Sequence, residues 1–174
     1  MKSRAVLGLV LLALAVPAKA ERLTFDHRLQ PRLKAVLDSG DTSRVDYNAA
    51  NPRYVIDRIA VQGASAQDWT EQLEIIARTP AKGMRSAAEW IAELTRAADA
   101  RCAGQVAELA RDANSITIER STTGTCAGEP VRLSLYRAVA GKRSLFLLGV
   151  HKKGPLSDAD RAAWLAMLAS AHLD

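Results

Sequence analysis

The sequence predicts an α+β fold, a single domain in which an antiparallel sheet of about five strands is covered by two main helices and carries one disulfide. Two apolar runs within 131–151 flank Ala140-Gly141-Lys142, which is typical of a β-hairpin and needs no crossover helix. Amphipathic helical spacing follows Ser86 and again follows Ser157. This order of strands and helices favours helices packed on one antiparallel sheet.

The start of the chain predicts a cleavable signal peptide, residues 1–20. A positively charged start (1–4) precedes an apolar run (5–16) that is too short to span a bilayer, and Ala18-Lys19-Ala20 supplies the small-x-small pattern for cleavage before Glu21. A retained membrane anchor is the alternative, but no second apolar run follows. We therefore expect export to the periplasm, with secretion as the alternative, and no transmembrane segment in the processed chain.

The rest of the chain divides into an N-terminal helix and loop (21–53) and an α+β domain (54–174). The formal net charge of +5 includes three lysines and arginines of the signal peptide, so the processed chain is closer to neutral. It contains no dense basic helix and no aromatic stacking platform, so we expect no nucleic-acid partner. No glycine-rich phosphate loop is present, and we expect no cofactor.

Cys102 and Cys126 are predicted to form one structural disulfide, because thiols pair in an oxidising compartment. A redox or metal-binding pair is the alternative, but C-x-x-C spacing and a four-ligand zinc pattern are both missing.

The local patterns predict the following elements. A short helix covers the region of Leu29, Leu33 and Val36 and ends near Gly40, and the polar stretch 41–53 predicts a loop. A longer helix begins at Thr79 or at Ser86 and ends near Gly104, and a final helix follows Ser157. Strands are predicted over 54–62, 106–110, 115–121, 131–139 and 144–151.

Residues 65–77 fit two structures. Ser65 and Asp68 open a helical spacing that continues through Trp69 and Leu73, whereas Trp69, Glu71 and Leu73 also alternate as in a strand. Periodicity alone leaves both open.

The segment Asp68-Trp69-Thr70-Glu71, with strand-like residues before it and an amphipathic helix after it, resembles a group of uncharacterised exported proteobacterial proteins. Members of that group carry a Trp-Thr-Glu motif, then a helix, a cysteine-linked loop, a hairpin and a closing helix that contains Trp. The resemblance extends over 54–173 and implies that 69–77 is a strand. It brings no known activity, so it transfers no functional residue.

Trp69 and Glu71 are candidate pocket residues. In the strand alternative Glu71 shares a face with Trp69 and Leu73, and a buried carboxylate requires a partner. A surface or edge position for Glu71 is the alternative.

The stretch 131–154 contains six basic residues and no acid. Such a cluster predicts an anion-binding patch that meets an anionic envelope component, such as lipid headgroups or glycans. Basic residues that protect exposed sheet edges are the simpler explanation. The patch comprises Arg132, Arg137, Lys142, Arg143, Lys152 and Lys153.

No catalytic or metal site is predicted. No nucleophile elbow surrounds any serine, and His27, His151 and His172 show no metal-binding spacing, so we expect the histidines to be exposed. The sequence favours an exported, non-enzymatic binding or envelope-associated module. A small periplasmic hydrolase with an unrecognised site and a secreted interaction protein are the alternatives.

Overall fold

The structure, a computed structural model, describes residues 21–50, 54–80, 86–122, 126, 128 and 131–174. The predicted signal peptide (1–20) and the segment 81–85 lie outside the described residues.

Within the described residues the chain forms three α-helices, two short 3₁₀ helices and nine strands. The helices are α1 (Pro31–Ser39), α2 (Ala87–Asp99) and α3 (Asp158–Ala169), and the 3₁₀ helices are His27–Leu29 and Thr42–Arg44. The strands are β1 (Leu23–Thr24), β2 (Val45–Asn48), β3 (Tyr54–Gly63), β4 (Trp69–Arg78), β5 (Gly104–Arg111), β6 (Ser115–Thr122), β7 (Leu133–Ala140), β8 (Leu145–Lys152) and β9 (His172–Leu173).

Seven of these strands form one antiparallel sheet in the order β2-β3-β4-β8-β7-β6-β5, while β1 and β9 form a separate pair. The α+β class is confirmed, but the prediction of about five strands is wrong. The sheet is larger because it also contains β4, which the sequence patterns left open between helix and strand, and β2, which lies in the predicted loop 41–53. The edge strands bury few side chains. Strand β5 is exposed from Gln105 to Arg111, and Tyr47 of β2 is 66 % exposed. Their side chains therefore lack the apolar alternation that marks a half-buried strand.

Residues 69–78 form a strand, as the resemblance implies, and not a helix. Both faces of β4 carry buried or partly buried side chains, since Leu73 packs in one core and Ile76 against the other. A strand that is covered on both faces has a nearly continuous run of apolar residues in its sequence. This explains why the periodicity of this segment fitted both a helix and a strand.

Serine caps set the starts of the two longer helices. Ser86 accepts the N–H of Glu89, and the Glu89 carboxylate accepts the N–H of Ser86, which is a complete capping box. Helix α2 therefore begins after Ser86, not at Thr79. Ser157 caps α3 in the same way through the N–H of Asp160.

The sheet has a core on each face. Trp164, Met167 and Leu168 of α3 pack with Leu33 of α1 against one face, and Trp90 of α2 packs against the other. The predicted short helix is present as α1, which ends at Gly40 and places Leu33 in the first core. The N-terminal segment is thus part of the fold.

The predicted disulfide is present between Cys102 and Cys126, with 5.7 Å between the Cα atoms. It joins the chain just after α2 to the chain after β6. In the parts of the chain that the structure describes, no helix is long and apolar enough to cross a membrane.

Candidate functional site

A cleft of about 260 Å³ opens on the α2 face of the sheet, beside the C-terminal end of that helix. Two neighbouring rows of cross-strand partners form its floor. One row is Gln72, His151, Ser134 and Arg120, and the other is Arg58, Glu74, Gly149 and Tyr136. Trp69, Ala98, Arg101 and Val131 complete the lining. We call this site the Gly149 cleft.

Gly149 makes room for two side chains that line the cleft. A Cβ atom at this position would lie 3.0 Å from His151 Nε2 and 3.3 Å from Tyr136 Cε1. Glycine weakens a central strand, because it adds backbone entropy to the unfolded chain and offers no side chain for packing. The close packing of the His151 and Tyr136 rings over β8 explains this residue better than strand propensity does.

His151 is fixed at the centre of the cleft. Its Nδ1 lies 3.1 Å from Ser134 Oγ, and its ring lies between Trp69 and Tyr136, with centroid distances of 6.4 and 5.5 Å. Its Nε2 lies 3.8 Å from Glu74 Oε2, which is wider than a hydrogen bond. This gap is too narrow for an atom in line between the two groups, but a ligand atom in the cleft can contact both of them from one side.

Glu74 is an ionised acceptor at neutral pH. Burial raises the pKa of Glu74, but hydrogen bonding and the charges of His151 and Arg58 outweigh burial and hold that pKa below its ordinary value of 4.5. Arg58 Nε donates to Glu74 over 2.9 Å. Burial raises the pKa of Tyr136, so its hydroxyl is a neutral group beside Ser134.

The cleft lining carries more positive than negative charge. Three guanidinium groups line it against one carboxylate, that of Glu74. The carboxylates that pair with Arg58 and Arg120 from outside the lining are Asp46 and Asp99, whose side chains are 40 % and 46 % exposed. The lining therefore favours an anionic group over a cationic one.

The two candidate pocket residues lie on opposite faces of the sheet. Trp69 lines the Gly149 cleft, whereas Glu71 shares the other face with Leu73. The β3–β4 pairing is irregular between Gln62 and Gly63, directly opposite this part of β4. That irregularity breaks the simple alternation from which a shared face was predicted.

Glu71 is fully buried, and its carboxylate holds several elements of the fold together. Its Oε1 accepts from Arg32 Nη2 and from Trp164 Nε1, each at 2.8 Å, and its Oε2 accepts from Lys152 Nζ at 3.0 Å. Arg32 also pairs with Asp160 at 3.0 Å. The carboxylate thus links α1, β4, β8 and α3, and every partner is a residue of the chain itself.

The six basic residues of the predicted patch are divided between the two ends of the hairpin. Lys142 and Arg143 lie at its turn, and Lys152 and Lys153 lie at its open end. The eight residues of β8 separate them by about 27 Å. Arg132 belongs to the open end, and Arg137 lies between the ends and is mostly buried beside Asp112. Exposed charges this far apart are screened from one another at physiological salt.

A second, larger hollow lies at the hairpin turn, but the chain fills its polar positions itself. The Glu21 carboxylate accepts the backbone N–H groups of Lys142 and Arg143. Desolvation is the largest single influence on Glu21 and raises its pKa, but these hydrogen bonds and those of Ser144 together outweigh desolvation and lower the pKa. The Gly149 cleft has no such internal occupant among the described residues, so we take it as the candidate site.

Sequence reasoning missed most of this site. The expectation of exposed histidines is wrong for His151, whose side chain is 15 % exposed. One signal was available in the sequence. Gly149 interrupts an otherwise apolar strand, and such a glycine marks a bulge or a place where another group packs closely on the backbone. The partners Glu74 and Ser134 carry no motif, because only strand register brings them beside His151.

The sequence matches no model of a known protein family and no curated protein.

Proposed function

We propose that this protein is an exported, non-enzymatic binding module that holds a small polar ligand in the Gly149 cleft. The observation that carries the proposal is a concave site whose polar side chains, among them His151, Ser134 and Glu74, are held in fixed positions by their neighbours. Ligand sites commonly combine such a cleft with a few oriented polar groups.

Export is part of the same proposal. It rests on the signal pattern of residues 1–20, and the Cys102–Cys126 disulfide agrees with an oxidising compartment. Membership of the exported group with the Trp-Thr-Glu motif belongs to the proposal as well. Sequencing of the processed N-terminus should give Glu21 or a close neighbour, and fractionation of cells should separate periplasmic from secreted protein. A processed chain that begins at Met1 contradicts export.

Binding is tested by ligand-observed NMR with a library of small polar metabolites. Gly149→Ala adds a methyl group to the cleft floor, and Gly154→Ala adds the same group where nothing lies within 4 Å. We expect the wild type and Gly154→Ala to share hits that Gly149→Ala loses. The absence of hits, or hits that survive in Gly149→Ala, would contradict the cleft as the binding site.

A small hydrolase is the second candidate, and one observation favours it. Ser134 Oγ, His151 and Glu74 follow one another in the order nucleophile, base and acid, over 3.1 and 3.8 Å. However, Ser134 is only 5 % exposed and lies within β7, whereas reactive serines are usually presented on a turn. Labelling by a fluorophosphonate that Ser134→Ala abolishes would reject the non-enzymatic proposal.

A further inference from the structure

The size of the Gly149 cleft limits its ligand. Its volume of about 260 Å³ lies below the roughly 300–1,000 Å³ typical of sites for drug-sized molecules. The ligand, or the part of it that enters, is therefore about one ring in size. Trp69 and Val131 give this ring an apolar wall to pack against.

The centre of the cleft is suited to a hydroxyl group. In the tautomer with the proton on His151 Nε2, the Nδ1 atom accepts from the Ser134 hydroxyl and Nε2–H points toward Glu74. A ligand hydroxyl group that approaches both side chains from the open side of the cleft would accept from Nε2–H and donate to the ionised Glu74 carboxylate. A ligand carboxylate at this position would instead be repelled by Glu74.

The opposite part of the cleft is suited to an anion. Arg120 lies there with Nε and Nη2 donating to Asp99, and Nη2 also to the carbonyl of Cys102, so a ligand would meet the remaining edge of this guanidinium. Arg101 follows the end of α2. Guanidinium groups bind carboxylates through paired, charge-assisted hydrogen bonds. A ligand that satisfies both parts carries hydroxyl groups on one side of a ring and an acid on the other.

We infer that the Gly149 cleft binds an acidic saccharide, a hydroxylated ring that carries a carboxylate. This inference rests on the proposed binding function and names its ligand class. The hydroxyl group bridges His151 and Glu74, the carboxylate meets Arg120, and the C–H face of the ring packs on Trp69. Such rings occur in anionic glycans.

Isothermal titration of the wild type with three probes tests this assignment. Glucuronate has both the ring and the carboxylate, glucose has only the hydroxylated ring, and acetate has only the carboxylate. We expect the Kd of glucuronate to be at least about tenfold lower than that of either other probe, because each lost charged hydrogen bond costs about tenfold or more in affinity. Equal affinity for glucuronate and glucose, or for glucuronate and acetate, overturns the inference.

Two variants test whether glucuronate binds in the Gly149 cleft. Glu74→Gln keeps the size of the side chain but loses the charge, and it should weaken glucuronate binding about tenfold. Glu108→Gln is the matched control, because Glu108 pairs only with Arg111 on the edge strand β5, and its Kd should equal that of the wild type. If both variants bind like the wild type, the sugar lies elsewhere and the assignment is wrong.

The two proposals fail in different ways. If library ligands bind the cleft but none of the three probes does, the saccharide assignment fails and the binding function stands. If no library ligand binds either, both fail.

Discussion

Replacing the Glu71 carboxylate is expected to destabilise the fold strongly. In Glu71→Gln one oxygen remains for Trp164 and Arg32, but an NH₂ group now faces the Lys152 ammonium, which is 13 % exposed. Removing one partner of a buried ion pair typically costs about 3–5 kcal/mol. Arg32 retains Asp160, and Lys152 retains Gln62, so we expect a loss of about 2–4 kcal/mol in the free energy of unfolding.

Urea unfolding followed by tryptophan fluorescence and by circular dichroism measures this loss. Glu108→Gln makes the same chemical change in an exposed pair and should leave the midpoint almost unchanged. A Glu71→Gln/Lys152→Met cycle should give a coupling of at least about 1 kcal/mol, since the two groups are in contact. If Glu71→Gln unfolds at the same urea concentration as Glu108→Gln, the contacts of Glu71 do not contribute to stability as expected.

Three further results are expected. Replacing both Cys102 and Cys126 by Ser should lower the free energy of unfolding by roughly 3 kcal/mol, and alkylation without reductant should label neither cysteine of the native wild type. The folded pKa of Glu74 lies below 4.5 because Arg58 and His151 face it, so its contribution to stability is present above that value and lost as pH falls through the lowered pKa. The wild type should therefore lose stability more steeply than Glu74→Gln below pH 4.5, and parallel curves would contradict this. Replacing both Lys142 and Arg143 by Gln should weaken any salt-sensitive binding to anionic vesicles without changing the thermal midpoint. If wild type and variant bind equally, the hairpin turn does not bind an anionic partner.

Much of the fold could be predicted from local patterns because local chemistry determines those elements. Ser86 with Glu89, and Ser157 with Asp160, satisfy backbone N–H groups within one helical turn, so their spacing is visible in the sequence. The β7–β8 hairpin also depends on neighbouring residues only. The edge strands β2 and β5 were less visible, because an exposed edge does not require apolar alternation.

The candidate site could not be predicted in the same way because it depends on long-range register. Gln72 lies opposite His151, and Glu74 opposite Gly149, only because β4 pairs with β8 across a long sequence separation. From the sequence, Glu71 was a candidate pocket residue that would need a partner if buried, with a surface or edge position as the alternative. The sequence could not indicate that α1 and α3 would supply partners and close the space around this carboxylate.

Residues on one face of the β4–β8 pair therefore stabilise the fold, and alternate residues on the other face line the candidate binding site. Glu71 and Lys152 face α1 and α3, where both charges are buried and paired. The next pairs that face the opposite side, Gln72 with His151 and Glu74 with Gly149, lie beyond the end of α2 and remain accessible. Because strand residues alternate between faces, substitutions one residue apart should have different consequences. A change at Glu71 should alter the free energy of unfolding alone, whereas a change at Glu74 should alter ligand affinity as well.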